Sequence, residues 1–174
     1  MSEYNWNTTF LDLFDRCLEK YNSGDTDFEN YYSEEDSAFL KSIGYKPREF
    51  FDFIEDYGDD GDPTPGNALL IASVRRDYLN TVMNGELSSH EIKPSELPPK
   101  NEEIDGIVWL PRIIVKAKGK LRGELDPEIM FSCGGDRAFL RRHDIAPADF
   151  LRAVWAFFDE PDKIVDYVKN YSTK

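Results

Sequence analysis

A short motif that returns a hundred positions later constrains this chain more than any other feature. Asp36-Ser-Ala-Phe-Leu40 recurs as Asp136-Arg-Ala-Phe-Leu140, and Pro47 and Phe50 recur as Pro147 and Phe150. Aligned without gaps, residues 36–57 and 136–157 share six identities in 22 positions, where average composition would give roughly one or two. Phe51/Leu151, Ile54/Val154 and Tyr57/Phe157 add apolar matches. Upstream, Phe10, Phe14 and Cys17 fall opposite Leu110, Ile114 and Ala117. Two copies are too few for a solenoid. The expectation is an all-α, internally duplicated helical bundle, in which two pseudo-twofold-related units share one core within a single domain.

Periodicity supplies the helices. Phe10, Leu13, Phe14, Cys17, Leu18 and Tyr21 are spaced by three and four behind the N-cap candidates Thr8 and Thr9. Ser33-Glu-Glu-Asp36 is a capping box, and Gly44 stops the short helix that follows. Pro47 starts the next helix, with Phe50, Phe51, Ile54 and Tyr57 inward. Glu55 to Asp62 reads as an acidic loop, since Gly58 and Asn67 occupy positions where a calcium loop needs oxygen ligands. Thr64-Pro65 opens a helix to about Met83 that is apolar nearly all round in its first half. Residues 84–106, with Pro94, Pro98 and Pro99, read as an extended connector between a first unit at 8–83 and a second at 107–171. In the second unit helices are expected from Pro111, from Asp136 to about His143, from Pro147 to Phe158 and from Pro161 to Tyr171.

Charge is distributed unevenly. The net charge is −13, which argues against partners that require a positive footprint, namely nucleic acid and anionic membranes. Residues 1–106 carry 9 basic and 24 acidic side chains, whereas residues 107–155 carry 9 and 6. There is neither a signal-peptide pattern nor an 18-residue apolar run, so a cytoplasmic location is expected. Cys17 and Cys133 are too few for a disulfide framework, and no metal or cofactor motif is present.

The basic half holds the candidate site. Arg112, Lys116 and Lys120 stand at i, i+4 and i+8 of one helix, and Gly134-Gly135 precede the helix that carries Arg137. Amides at a helix start, beside glycines that let a ligand approach, suit an anion. These six residues are therefore the candidate contacts for a small anionic ligand or an acidic protein segment. The competing reading makes the basic line a solvated face, or one that pairs with the acidic first unit. Cys133 occupies the N-cap position of Ser33 in the other copy, where a thiol can act as nucleophile with His143 as base and Arg112 or Lys116 as clamp. Against that, free cysteine is among the most buried residue types. Asp36 and Asp136 are both explained by capping. A non-enzymatic binding module leads, and a small enzyme acting on an anionic substrate is the alternative.

Trp109-Leu-Pro-Arg112, Lys116-Ala-Lys118, Lys120-Leu-Arg-Gly123 and the Cys133 to Leu140 segment resemble a family of small bacterial proteins known as a domain of unknown function. The likeness covers roughly residues 107–155, with Lys118 where that pattern has arginine. It implies a compact helical domain and transfers no catalytic residue.

Overall fold

The computed structural model describes residues 3–172. The helices are α1 (Trp6–Asn22), α2 (Glu34–Ser42), α3 (Pro47–Asp60), α4 (Pro65–Thr81), α5 (Leu110–Arg122), α6 (Gly134–Arg142), α7 (Pro147–Ala156) and α8 (Pro161–Tyr171). A two-residue hairpin, β1 (Glu103–Ile104) with β2 (Ile107–Val108), leads into α5. The protein is thus all-α with two helix clusters. It divides into compact units of residues 1–76 and 77–174, and the division falls inside α4. Among the described residues no helix is long and apolar enough to cross a membrane.

In the first unit α1 packs on α3 through aromatic rings. Phe10 and Phe14 meet Phe50 edge-on at 5.1 and 6.2 Å, and Phe28 stacks on Phe51 at 5.0 Å. The acidic stretch Glu55–Asp60 is not a loop but the C-terminal part of α3, capped by Gly61 at φ 73°. Gly58 serves close packing rather than a break: a Cβ there would lie 2.6 Å from the Tyr21 ring. The first helix also starts earlier than expected. Its N-cap is Asn5, preceded by a 3-10 turn, so neither Thr8 nor Thr9 caps it. The capping box of α2 forms as read, with Ser33 Oγ accepting from Asp36 N at 3.1 Å and Asp36 Oδ2 accepting from Ser33 N at 3.0 Å. Helix α4 is less uniformly buried than its composition suggests, because Leu70 is 48% exposed while Ala68, Ile71 and Ala72 are fully buried.

In the second unit α5 packs on α7, and Leu110, Ile113, Ala117, Leu121, Phe150, Leu151 and Val154 are buried. Residues 84–106 do not simply span a gap. Ile92 N donates to Glu124 O at 2.7 Å, Asp126 N donates to Ile92 O at 3.2 Å, and Leu97 is buried. Proline removes donors without preventing such pairing by its neighbours. Helix α6 begins at Gly134, two residues earlier than expected.

Each unit repeats the other's local geometry at an offset of one hundred. The N-caps of α2 and α6, Ser33 and Cys133, have φ, ψ of −70°, 173° and −66°, 172°. Their C-caps, Ile43 and His143, have −98°, 5° and −98°, 4°. Leu40 O accepts from Tyr45 N at 2.8 Å, and Leu140 O accepts from Ile145 N at 3.0 Å. Both units also place a cation on the corresponding carboxylate, Arg16 on Asp36 at 2.7 Å and Lys116 on Asp136 at 2.5 Å.

Candidate ligand pocket

The two carboxylates share a position but not an environment. Arg16 is 55% exposed in its side chain, and its guanidinium grips Asp36 through both terminal nitrogens at 2.7 and 3.2 Å. Asp36 is consequently held below the ordinary carboxylate pKa, chiefly by that hydrogen bond. Asp136 is fully buried, as is nearly all of Lys116. Its Oδ1 accepts from Trp109 Nε1 at 2.9 Å, and its Oδ2 accepts from Lys116 Nζ and from Ser132 N at 3.0 Å. Capping therefore accounts for Asp36 but not for Asp136, which ties the start of α5, its middle and the start of α6 to one point.

Trp109 forms the aromatic wall. As N-cap of α5 it has φ 77° and ψ −23°, a left-handed conformation that a bulky residue rarely adopts. Its ring lies so close to the first turn of α6 that a Cβ on Gly135 would be 2.7 Å from Cζ2. Ser132, immediately before the α6 N-cap, is also left-handed at φ 69°. Strain of this kind costs on the order of 1–3 kcal/mol per residue and persists only where the surroundings impose it.

These elements line a pocket of about 270 Å³, partly open to solvent, within the second unit. Lys100, Arg112 and Lys116 contribute cations and Glu128 an anion; Cys133 contributes a thiol, and Gly135 the backbone of the α6 start. Pro94, Leu97, Ile129 and Met130 supply an apolar wall. Arg112 is fixed from two sides, by Nη1 donating to Pro98 O at 2.8 Å and by the Trp109 ring 5.9 Å beneath its guanidinium. A guanidinium has five N–H donors, so this anchoring leaves donors for a ligand.

Of the six residues read from the sequence as anion contacts, Arg112, Lys116 and Gly135 line this cavity. Lys120, Gly134 and Arg137 lie outside its lining. Lys120 is buried one turn further along α5, and Arg137 is buried with Nη1 donating to Ser132 O at 2.8 Å. The solvated-face reading fails, since Lys116 and Lys120 retain 4% and 3% exposure. Cys133 is half-buried and open to the cavity rather than enclosed, with Lys116 Nζ 3.2 Å from its sulfur. His143 sits at the far end of α6, about 15 Å along the axis from Cys133 at 1.5 Å per residue. There its Nδ1 meets Ser172 Oγ at 2.5 Å, and burial, with Arg142 adding to it, lowers its pKa. The amine nearest the thiol is therefore Lys116. Among the described residues no group of three His, Cys, Asp or Glu side chains is placed to hold a metal.

Sequence reasoning missed Trp109, Lys100 and Glu128 as pocket residues. The burial of Lys116 and Lys120, by contrast, was legible: they occupy the same three-and-four spacing as Ile113, Ala117 and Leu121, which places them on the stripe that faces the core. No family model, curated protein or solved structure matches the chain.

Proposed function

We propose that the second unit is a binding module for a small organic anion, seated in the cavity between Trp109, Arg112 and the first turn of α6. The observation that supports this reading best is local charge reversal. In a chain of net charge −13, Lys100, Arg112 and Lys116 line a single cavity with Glu128, Lys116 being paired with the buried Asp136 behind it, and Arg112 is braced by a carbonyl and an indole face. Low-dielectric walls concentrate the field of such a group of charges and favour an anion entering from solvent. The apolar wall of Leu97, Ile129 and Met130 calls for a ligand with a hydrocarbon body as well as a charged end. An acidic segment of a protein could present the same chemistry, but a volume of about 270 Å³ is the size of a small molecule.

We also propose that the two units descend from one copied helical half, and that the second alone became a site. At the pocket positions the first unit has Thr9 for Trp109, Asp12 for Arg112 and Glu35 for Gly135. The resemblance of residues 107–155 to the bacterial family is compatible with that division of roles and adds no activity to it.

A thermal-shift screen with small carboxylates and phosphate esters tests the binding reading. A ligand at 100 times its Kd adds about 2.7 kcal/mol to stability, which for a chain of this size raises Tm by several degrees. No shift with any anion of this size would contradict it. The enzymatic alternative draws on one distance, the 3.2 Å between Lys116 Nζ and Cys133 Sγ, with Lys116 in the role first assigned to His143. It requires turnover of an anionic substrate that Cys133→Ser abolishes, whereas binding alone does not.

A further inference from the structure

We propose that Cys133 is a site of thiol–disulfide exchange, at which a small disulfide bearing carboxylates forms a mixed disulfide with the protein. This rests on the anion-binding reading of the same cavity. The cysteine does not stand alone there: its sulfur opens into a cavity with Arg112 and Lys100, and Lys116 Nζ lies 3.2 Å from it. Asp136 and the surrounding burial hold that ammonium in place. In the exchange, Cys133 gives up its proton and its sulfur attacks one sulfur of the disulfide. A new S–S bond forms and the old one breaks, while the departing half leaves as a thiolate that takes up a proton. Negative charge spreads over three sulfurs during attack, and the fixed ammonium faces it without having to reorganise. Arg112 supplies the anchor for the carboxylate of the half that remains. The cavity of about 270 Å³ accommodates a residue the size of mercaptoacetate.

The chain carries its own control. Cys17 is 1% exposed on the inner face of α1, and burial pushes its thiol up to about 12. An attacking thiol must be accessible and ionised, so Cys17 should remain unmodified in the native protein.

The test uses the full chain at neutral pH with two probes, the disulfide of mercaptoacetate and the neutral disulfide of 2-mercaptoethanol. Intact-mass spectrometry follows the reaction, and peptide mapping locates the adduct. The expected result is one adduct per chain, at Cys133, absent in Cys133→Ser. The anionic probe should react at least tenfold faster than the neutral one, relative to their rates with a free cysteine derivative. Arg112→Ala should reduce the anionic rate about tenfold and leave the neutral rate unchanged. A Cys133 that reacts with neither probe faster than a free thiol overturns the exchange site, and ligand-induced stabilisation that persists in that protein leaves the binding reading standing. Equal enhancement with both probes overturns the carboxylate specificity of the exchange, while the thermal-shift screen decides the anion-binding reading separately. Modification of Cys17 alongside Cys133 would show an opened chain and refute the pocket as the source of reactivity.

Discussion

Replacing the matched carboxylates one at a time separates the two units energetically. Asp136→Ala removes the partner of a Lys116 that is 4% exposed, and also strips the acceptor from Trp109 Nε1 and Ser132 N. Breaking a buried ion pair by deleting one member costs about 3–5 kcal/mol, because the remaining charge stays buried without compensation. Asp36→Ala deletes a bond to Arg16, whose side chain is 55% exposed and can turn to water. That pair is worth about 0–1 kcal/mol. Loss of the reciprocal bond to Ser33 N adds about 1 kcal/mol, for a sum of about 1–2 kcal/mol. Urea unfolding followed by tryptophan fluorescence reads the difference. At a slope near 2 kcal/mol/M, the expected midpoint shifts are about 1.5–2.5 M for Asp136→Ala and about 0.5–1 M for Asp36→Ala. A Lys116→Met, Asp136→Leu double variant should regain part of the loss, since an apolar pair of similar volume leaves no stranded charge. Equal losses at the two positions, or a double variant no more stable than Asp136→Ala, would refute the reasoning.

The glycines at the start of α6 should behave oppositely. A Cβ on Gly134 meets only Arg137 Nη2 at 4.0 Å, so Gly134→Ala should raise stability by about 0.4–1 kcal/mol, whereas Gly135→Ala drives into the Trp109 ring. Gly135→Ala should lower stability by about 1–3 kcal/mol in the same urea assay and shift the fluorescence maximum of Trp109. The lowered pKa of Asp36, set mainly by Arg16, carries a sign. The stabilisation it brings is fully present above the unfolded value near 3.9 and is lost as pH falls through the folded value. Parent and Asp36→Asn should therefore differ in thermal stability at pH 6 and converge toward pH 2.

Local chemistry made much of this fold legible. Ser33 and Asp36 announce a capping box within four residues, and Pro47, Pro147 and Pro161 mark helix starts that the structure keeps. The non-local partners stayed hidden. Asp136 was readable as an N3 residue, but Lys116 and Trp109 lie 20 and 27 residues away in sequence, and no spacing rule links them. Glu55 to Asp62 reads as a loop from sequence because the reason Gly58 is glycine, the Tyr21 ring, sits on another helix. The connector's part in the pocket was equally obscure. Pro94, Leu97 and Lys100 acquire a role only once Ile92 is pinned to the loop after α5.

The most direct test of the anion pocket is isothermal titration of the intact protein with the tightest ligand from the carboxylate and phosphate-ester panel, parent against Arg112→Ala. A braced guanidinium contributing charge-assisted hydrogen bonds is worth about 1.5–3 kcal/mol, so one-to-one binding that weakens tenfold or more in the variant is the expected result. Unchanged affinity in Arg112→Ala, or no saturable heat with any anion, would contradict it.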